Sequence, residues 1–195
     1  MGHKAEWRWL VVLAASGCAA QPTAPTRIAA PRAVAAPVMA TRAVATAAMG
    51  LAGVMLAGHN AARAAVGVAP LSWDPALAQA AADHARTMAR TGRFAHAEQR
   101  GDPLARQGEN LWAGTRGAYR APEMIGLWVD ERRDFVDAPA PAFSRTGRWQ
   151  DVGHYTQIVA RRTTRVGCAL ASGAAEDYLV CRYAPAGNVW GQRVF

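Results

Sequence analysis

Gly153-His154-Tyr155-Thr156-Gln157 is the stretch on which the fold turns, taken with Gly187-Asn188-Val189-Trp190-Gly191 after it and Gly108-Glu109-Asn110-Leu111 before it. These blocks set a histidine and a carboxylate in turn-rich surroundings, apart from any nucleotide-binding pattern. Around His154 the residues from Val152 to Val159 predict a short helical or extended segment. Beyond it, Arg165 to Ala171 and Tyr178 to Tyr183 predict two antiparallel strands around a turn at Ser172-Gly173-Ala174-Ala175. Gly108 to Ala113 predicts one more strand.

Helices dominate upstream. Val54, Met55, Ala61, Ala62 and Ala65 would line a helix ending near Val66-Gly67. In Pro70-Leu71-Ser72-Trp73-Asp74-Pro75, Asp74 suits an N-cap and Pro75 the first helical position. Leu77, Ala81, Ala85 and Met88 then share one face, and Thr91-Gly92 ends the helix. A third helix starts at Ala121-Pro122-Glu123, with Met124, Leu127, Trp128, Glu131 and Phe135 on one face. A carboxylate in an apolar face is costly unless something receives it. Helices first and strands later predict an α+β layer structure.

His96, Glu109, Glu131 and His154 are the groups fit for chemistry. Imidazoles and carboxylates are the ligand set of zinc and similar ions, and they also serve general acid–base work. Each has a plainer alternative: His96 as a surface histidine in a loop, Glu109 as a turn cap, His154 as a core hydrogen-bonder. Glu131 resists such a reading because of its apolar face. His84 reads as a helix-surface or semi-buried residue. His-Glu-x-x-His, Gly-x-Ser-x-Gly, Walker and Gly-x-Gly-x-x-Gly patterns are all absent. His96-Ala97-Glu98 matches half of a zinc deaminase signature, without its Pro-Cys-x-x-Cys half.

The N-terminus reads differently. Residues 1–20 predict an export signal: Lys4 and Arg8, then the apolar Trp9-Leu10-Val11-Val12-Leu13-Ala14-Ala15, then small residues. That core is too short to span a bilayer. Ala15-Ser16-Gly17-Cys18 resembles a bacterial lipobox with Ala15 in place of the preferred Leu, so Cys18 is a candidate for lipidation. Cleavage after Ala20 is the alternative. Residues 21–48, rich in Ala, Pro, Thr and Arg, predict a flexible tether, and 49–195 the folded domain. The formal charge of +8 rests on 21 Arg and the single Lys4. From His59 onward 17 Arg face 13 acids, and no acid stands between Trp7 and Trp73. The excess suits an anionic membrane or wall surface, or reflects composition alone. Scattered charge without a recognised module argues against a nucleic-acid partner. Besides Cys18 the cysteines are Cys168 and Cys181. Export permits a disulfide between them across the hairpin, two free buried thiols being the alternative.

His59-Asn60-Ala61-Ala62-Arg63, Pro70-Leu71-Ser72-Trp73-Asp74, Gly108-Glu109-Asn110-Leu111, Gly153-His154-Tyr155-Thr156-Gln157, Val166-Gly167-Cys168-Ala169 and Cys181-Arg182-Tyr183-Ala184-Pro185-Ala186-Gly187-Asn188 stand in order along the chain. Together they resemble the CAP superfamily of cysteine-rich secretory, antigen 5 and pathogenesis-related 1 proteins, also called SCP domains. The resemblance runs from His59 to Gly191 and implies an exported bacterial member with a three-layer α-β-α sandwich and a surface cleft. Two His and two Glu line that cleft in the family, and they map by motif onto His96, Glu109, Glu131 and His154. Several members bind zinc or another divalent ion there, which makes His96 and His154 the expected metal ligands. Members are associated with sterol and fatty-acid binding, antimicrobial defence and signalling. The resemblance thus implies a non-enzymatic binding module at the cell envelope with a lipid or envelope-component ligand, to which the lipobox-like run adds membrane anchoring through Cys18. The alternative is a protease-like metal-dependent hydrolase in which Glu109 or Glu131 activates a water. A structural envelope protein with a vestigial cleft is the third. One departure concerns packing: after Gln157-Ile158-Val159 the family usually has Trp, and this chain has Ala160. The missing volume either opens space or is filled by Trp149 or Trp190.

Overall fold

A computed structural model describes residues 50–99 and 106–195. The export segment with Cys18 and the tether over 21–48 lie outside the described residues. In chain order the elements are α1 (Leu51–Ala64), β1 (Ser72–Trp73), α2 (Pro75–Thr91), β2 (Gly108–Thr115), α3 (Ala121–Asp130), α4 (Gly153–Val159), β3 (Arg165–Ser172) and β4 (Glu176–Ala184). Single 3-10 turns cover Glu131–Asp134 and Trp149–Val152.

Local chemistry sets the ends of α2 as the sequence predicts. Asp74 accepts hydrogen bonds from the Ala76 and Leu77 amides at 2.8 and 3.2 Å, satisfying donors that a helix start leaves open. Gly92 closes the helix at φ 68°, a left-handed conformation suited to glycine. Leu77, Ala81, Ala85 and Met88 are all buried.

The sheet runs β1-β3-β4-β2, with β1 parallel to β3 and the other pairs antiparallel. Side-chain alternation divides the core in two. Leu111, Ala113, Tyr178 and Val180 pack with Ala81, Ala85 and Met88 of α2. Trp112, Leu179, Cys181, Tyr183, Val166 and Cys168 face the opposite way, toward α1, α3 and α4. The result is an α-β-α sandwich. Gly167 permits α2 to lie so close, because a Cβ there would run into the backbone of Ala78 and Asp74. Cys168 and Cys181 stand opposite each other in register and are joined by a disulfide. Among the described residues no helix is long and apolar enough to cross a membrane.

Two helices differ from their sequence expectation. In α1, Val54, Met55 and Ala62 are buried as expected, but Ala61 and Ala65 face solvent, and His59 and Arg63 take their place inside. The face is read wrongly by hydrophobicity because these two polar side chains are satisfied internally. His59 bonds the Met55 carbonyl at 2.7 Å and the Tyr183 hydroxyl at 2.8 Å. Arg63 donates to the carbonyls of Ala69, Ile158, Ala160 and Thr163 at 2.6 to 2.9 Å. In α3, Met124 and Trp128 are buried together with Ile125. That helix stops at Asp130, so Glu131 lies in the 3-10 turn and not on the helix face with Phe135.

Candidate functional site

The start of β2 organises the site. Neighbours on a strand face opposite sides of the sheet, so Glu109 lies on the α2 side with Leu111, and Asn110 on the other side with Trp112. Each residue grips a different histidine segment. Glu109 Oε1 accepts from His96 Nδ1 at 2.7 Å and from the Ala97 amide at 3.0 Å, fixing the loop that follows α2. Asn110 Nδ2 donates to the His154 carbonyl at 3.0 Å, fixing α4.

Glu109 has a side chain only 4% exposed, and an arginine and two histidines surround it. Arg182 Nη2 lies 2.9 Å from Oε2, and His84 Nε2 lies 3.9 Å from the same oxygen. Burial is the largest influence on this carboxyl and pushes its pKa up. The His96 hydrogen bond, the Arg182 charge, the Ala97 amide and the His84 charge together outweigh it and hold the pKa below the ordinary carboxylate value. Glu109 is therefore a buried carboxylate.

The second pair lies on the other face. Glu131 Oε1 accepts from His154 Nδ1 at 2.6 Å, while Oε2 accepts from the His154 and Tyr155 amides at 3.0 and 3.1 Å. The charge that looked costly in an apolar face is received here. Trp128 stacks on the His154 ring, with centroids 5.6 Å apart and planes inclined by 18°.

Both histidines thus present the same chemistry. A carboxylate at Nδ1 selects the tautomer protonated there, leaving the Nε2 lone pair available. Neither Nε2 has a hydrogen-bond partner among the described residues. The His96 side chain is 54% exposed and that of His154 is 20% exposed, so solvent reaches both.

The four candidates form two His–Glu pairs and not one ready coordination sphere. Among the described residues, the only three potential ligands with atoms mutually within 4.8 Å are His59, Cys168 and Cys181. Those two sulfurs are bonded to each other, which removes the thiolates that a metal would need.

Sequence reasoning passed over Arg182 and read His84 as helix-surface or semi-buried, of which the second holds. Arg182 is opposite Glu109 in the β2–β4 register, so cross-strand pairing would have found it once those strands were aligned. His84 is partly buried, and its Nε2 donates to the Ala95 carbonyl at 2.8 Å, so it braces the His96 loop instead of facing solvent.

Comparison with known proteins gives a consistent picture. Residues 56–183 match CAP, the cysteine-rich secretory protein family. The chain is similar to a pathogenesis-related protein of PR-1 type from Sambucus nigra, 37% identical over 138 residues, 70% of this chain and 77% of the relative. It is equally similar to pathogenesis-related protein 1B from Nicotiana tabacum, also 37% identical over 138 residues, 70% of this chain and 76% of that one. Its fold is similar to the crystal structure of NaASP2 with Zn2+, at a TM-score of 0.60 and 21% identity, over 75% of this chain and 86% of the other.

Proposed function

The chain belongs to the cysteine-rich secretory protein (CAP) family, and from that premise we propose that it is an exported binding module of the cell envelope, whose two His–Glu pairs hold a divalent metal. The observation that carries the proposal is the common arrangement of the pairs. Each imidazole is anchored through Nδ1 by a carboxylate, which leaves Nε2 as a solvent-reachable ligand atom. His96 and His154 would each present one imidazole nitrogen to the ion, with Glu109 and Glu131 orienting them. The pairs do not form a shared coordination sphere on their own, so the His96 loop would have to move toward His154 as the ion binds. A bound divalent ion would supply a Lewis-acidic anchor for an anionic or oxygen-rich partner. Neutral imidazole nitrogens fit zinc, and NaASP2 crystallised with Zn2+ makes zinc the first ion to try.

Binding is favoured over hydrolysis because N–H donors occupy both oxygens of Glu131 and the Oε1 of Glu109. Glu131 uses its oxygens on one imidazole and two amides, and Glu109 lies against an imidazole, an amide and an arginine. Glu109 Oε2 has no hydrogen-bond partner among the described residues, but its burial and the Arg182 guanidinium 2.9 Å away make it a poor base toward water. Export is supported by the signal-like segment at residues 1–20 and by a disulfide, which persists in oxidising compartments. Cys18 would then tether the domain to a membrane, with a lipid or another envelope component as its ligand.

The test is a zinc titration by calorimetry on the chain beside its His96→Ala/His154→Ala variant. One-to-one binding that disappears in the variant is expected. Absence of binding, or equal binding by the folded variant, would overturn the metal assignment.

A further inference from the structure

Ala160 ends α4 and leaves room beside it. A cavity of about 360 Å³ opens there, walled by Phe143, Ala160, Val194 and Phe195 and carrying Arg161 and Arg162. Neither tryptophan supplies the missing volume. Trp149 and Trp190 line an adjoining hollow of about 50 Å³, which shares Phe143 and Asn188 with the cavity, and they are 36% and 68% exposed. The larger cavity shares no residue with the two His–Glu pairs.

Its charge is one-sided. Arg193, which also lines it, is matched by Asp137, at 2.8 Å from both the carboxylate and the carbonyl. Arg162 donates to the neutral amide oxygen of Gln192 at 2.9 Å, which orients the guanidinium without offsetting its charge. Arg161 is exposed, and its side chain has no hydrogen bond or ion pair among the described residues. Among the described residues no Asp or Glu side chain lines the cavity. Two guanidinium groups with no carboxylate side chain paired to them therefore stand beside a largely apolar chamber of ligand size. A divalent cation would be repelled. The chain's own N-terminal segment is a poor occupant, since it carries arginines and no acid from Trp7 to Trp73.

We propose that this cavity binds a compact organic anion, a carboxylate or sulfonate on an aromatic or short aliphatic body. The body packs on Phe143, Ala160 and Val194, and the acid group meets Arg161 and Arg162, whose planar guanidinium forks suit an anionic oxygen pair. Ala160 sets the capacity of the chamber, because a larger side chain would occupy it.

Anilinonaphthalenesulfonate, fluorescent when shielded from water, is the probe. The intact chain should bind it saturably, and naphthoate, but not the neutral naphthalenemethanol, should displace it. Arg161→Gln/Arg162→Gln, at two exposed positions, should weaken binding on the order of tenfold. Ala160→Trp should abolish it, with circular dichroism reporting that the variant is folded. The arginine pair decides the matter if Ala160→Trp does not fold. Unchanged affinity in the arginine variant overturns the proposal. So does loss of the signal in Trp149→Ala/Trp190→Ala alone, which would put the probe on the exposed tryptophans.

Discussion

Glu131 caps helix α4 from outside it, accepting the amides of His154 and Tyr155 while its other oxygen holds the His154 ring. The N-cap residue Val152 offers no side-chain bond of its own. At the opposite end Arg63 donates to the carbonyls of Ile158 and Ala160. A negative group at the amide end and a positive group at the carbonyl end match the helix dipole.

Replacing Glu131 with Gln keeps the shape but puts an amide NH₂ against a donor, since all three partners of the carboxylate are N–H groups. The expected outcome is zinc affinity roughly 10- to 100-fold weaker, the usual cost of losing a group that orients a ligating histidine. Calorimetry on the folded variant checks it, and wild-type affinity would remove Glu131 from any orienting role.

Arg63→Met should be among the most damaging single changes. Its guanidinium satisfies four carbonyls in the interior, and methionine fills similar space while bonding none of them. A loss of about 3 kcal/mol or more is expected, since each buried carbonyl left unsatisfied costs about 1–3 kcal/mol, measured by urea unfolding with the disulfide intact. A loss below about 1 kcal/mol would mean that water or a shifted backbone serves those carbonyls equally well.

His59 makes the protein acid-sensitive. Burial lowers its pKa from 6.5 to about 4; the Met55 hydrogen bond opposes this and the Arg63 charge adds to it. Between those pH values the unfolded chain binds a proton that the folded chain does not, so stability rises with pH across this window. The stabilisation is complete above about pH 6.5 and falls by about 3 kcal/mol on descending to about pH 4. Glu109, its pKa lowered, acts in the same direction: its contribution is present above the unfolded carboxyl pKa and is lost as pH falls through the folded one. Chemical unfolding from pH 4 to 7 should show this slope, and His59→Gln should flatten its upper part.

The Cys168–Cys181 bond spans a sequence separation of 13 between buried positions on adjacent strands. Cys168→Ser/Cys181→Ser should cost about 3 kcal/mol on the chain-entropy account. In the intact protein, thiol labelling after mild reductant should remain low until denaturant opens the sheet. Rapid labelling under native conditions would show that the β3–β4 hairpin opens locally.

Local chemistry was legible in the sequence and long-range partnership was not. Asp74, Pro75 and Gly92 act on their own neighbours, so the bounds of α2 could be read directly. The hairpin and its cysteines follow from apolar runs around a glycine turn. Glu131 stands out as a charge in an apolar face, but periodicity carries that face on to Phe135 while the helix ends at Asp130. Arg63, Arg182 and His84 stayed hidden because nothing near them in the sequence reveals a carbonyl or carboxylate that only the folded chain brings close. Arg182 lies in a strand buried on both faces, where alternation marks no solvent side. Small residues misled as well: Ala61 and Ala65 are apolar enough to suggest a core but small enough to sit in water.

The clamping of α4 has a consequence for biogenesis. Seven residues are too few to hold a helix alone, and this one draws its end groups from Arg63 and Glu131, far from it in the chain. Amide hydrogen exchange along α4 should therefore follow global opening and not local fraying. A chain still emerging from the ribosome, or one that has lost α1 with its Arg63, would present His154 on an unformed segment. Display of this histidine thus certifies a finished molecule.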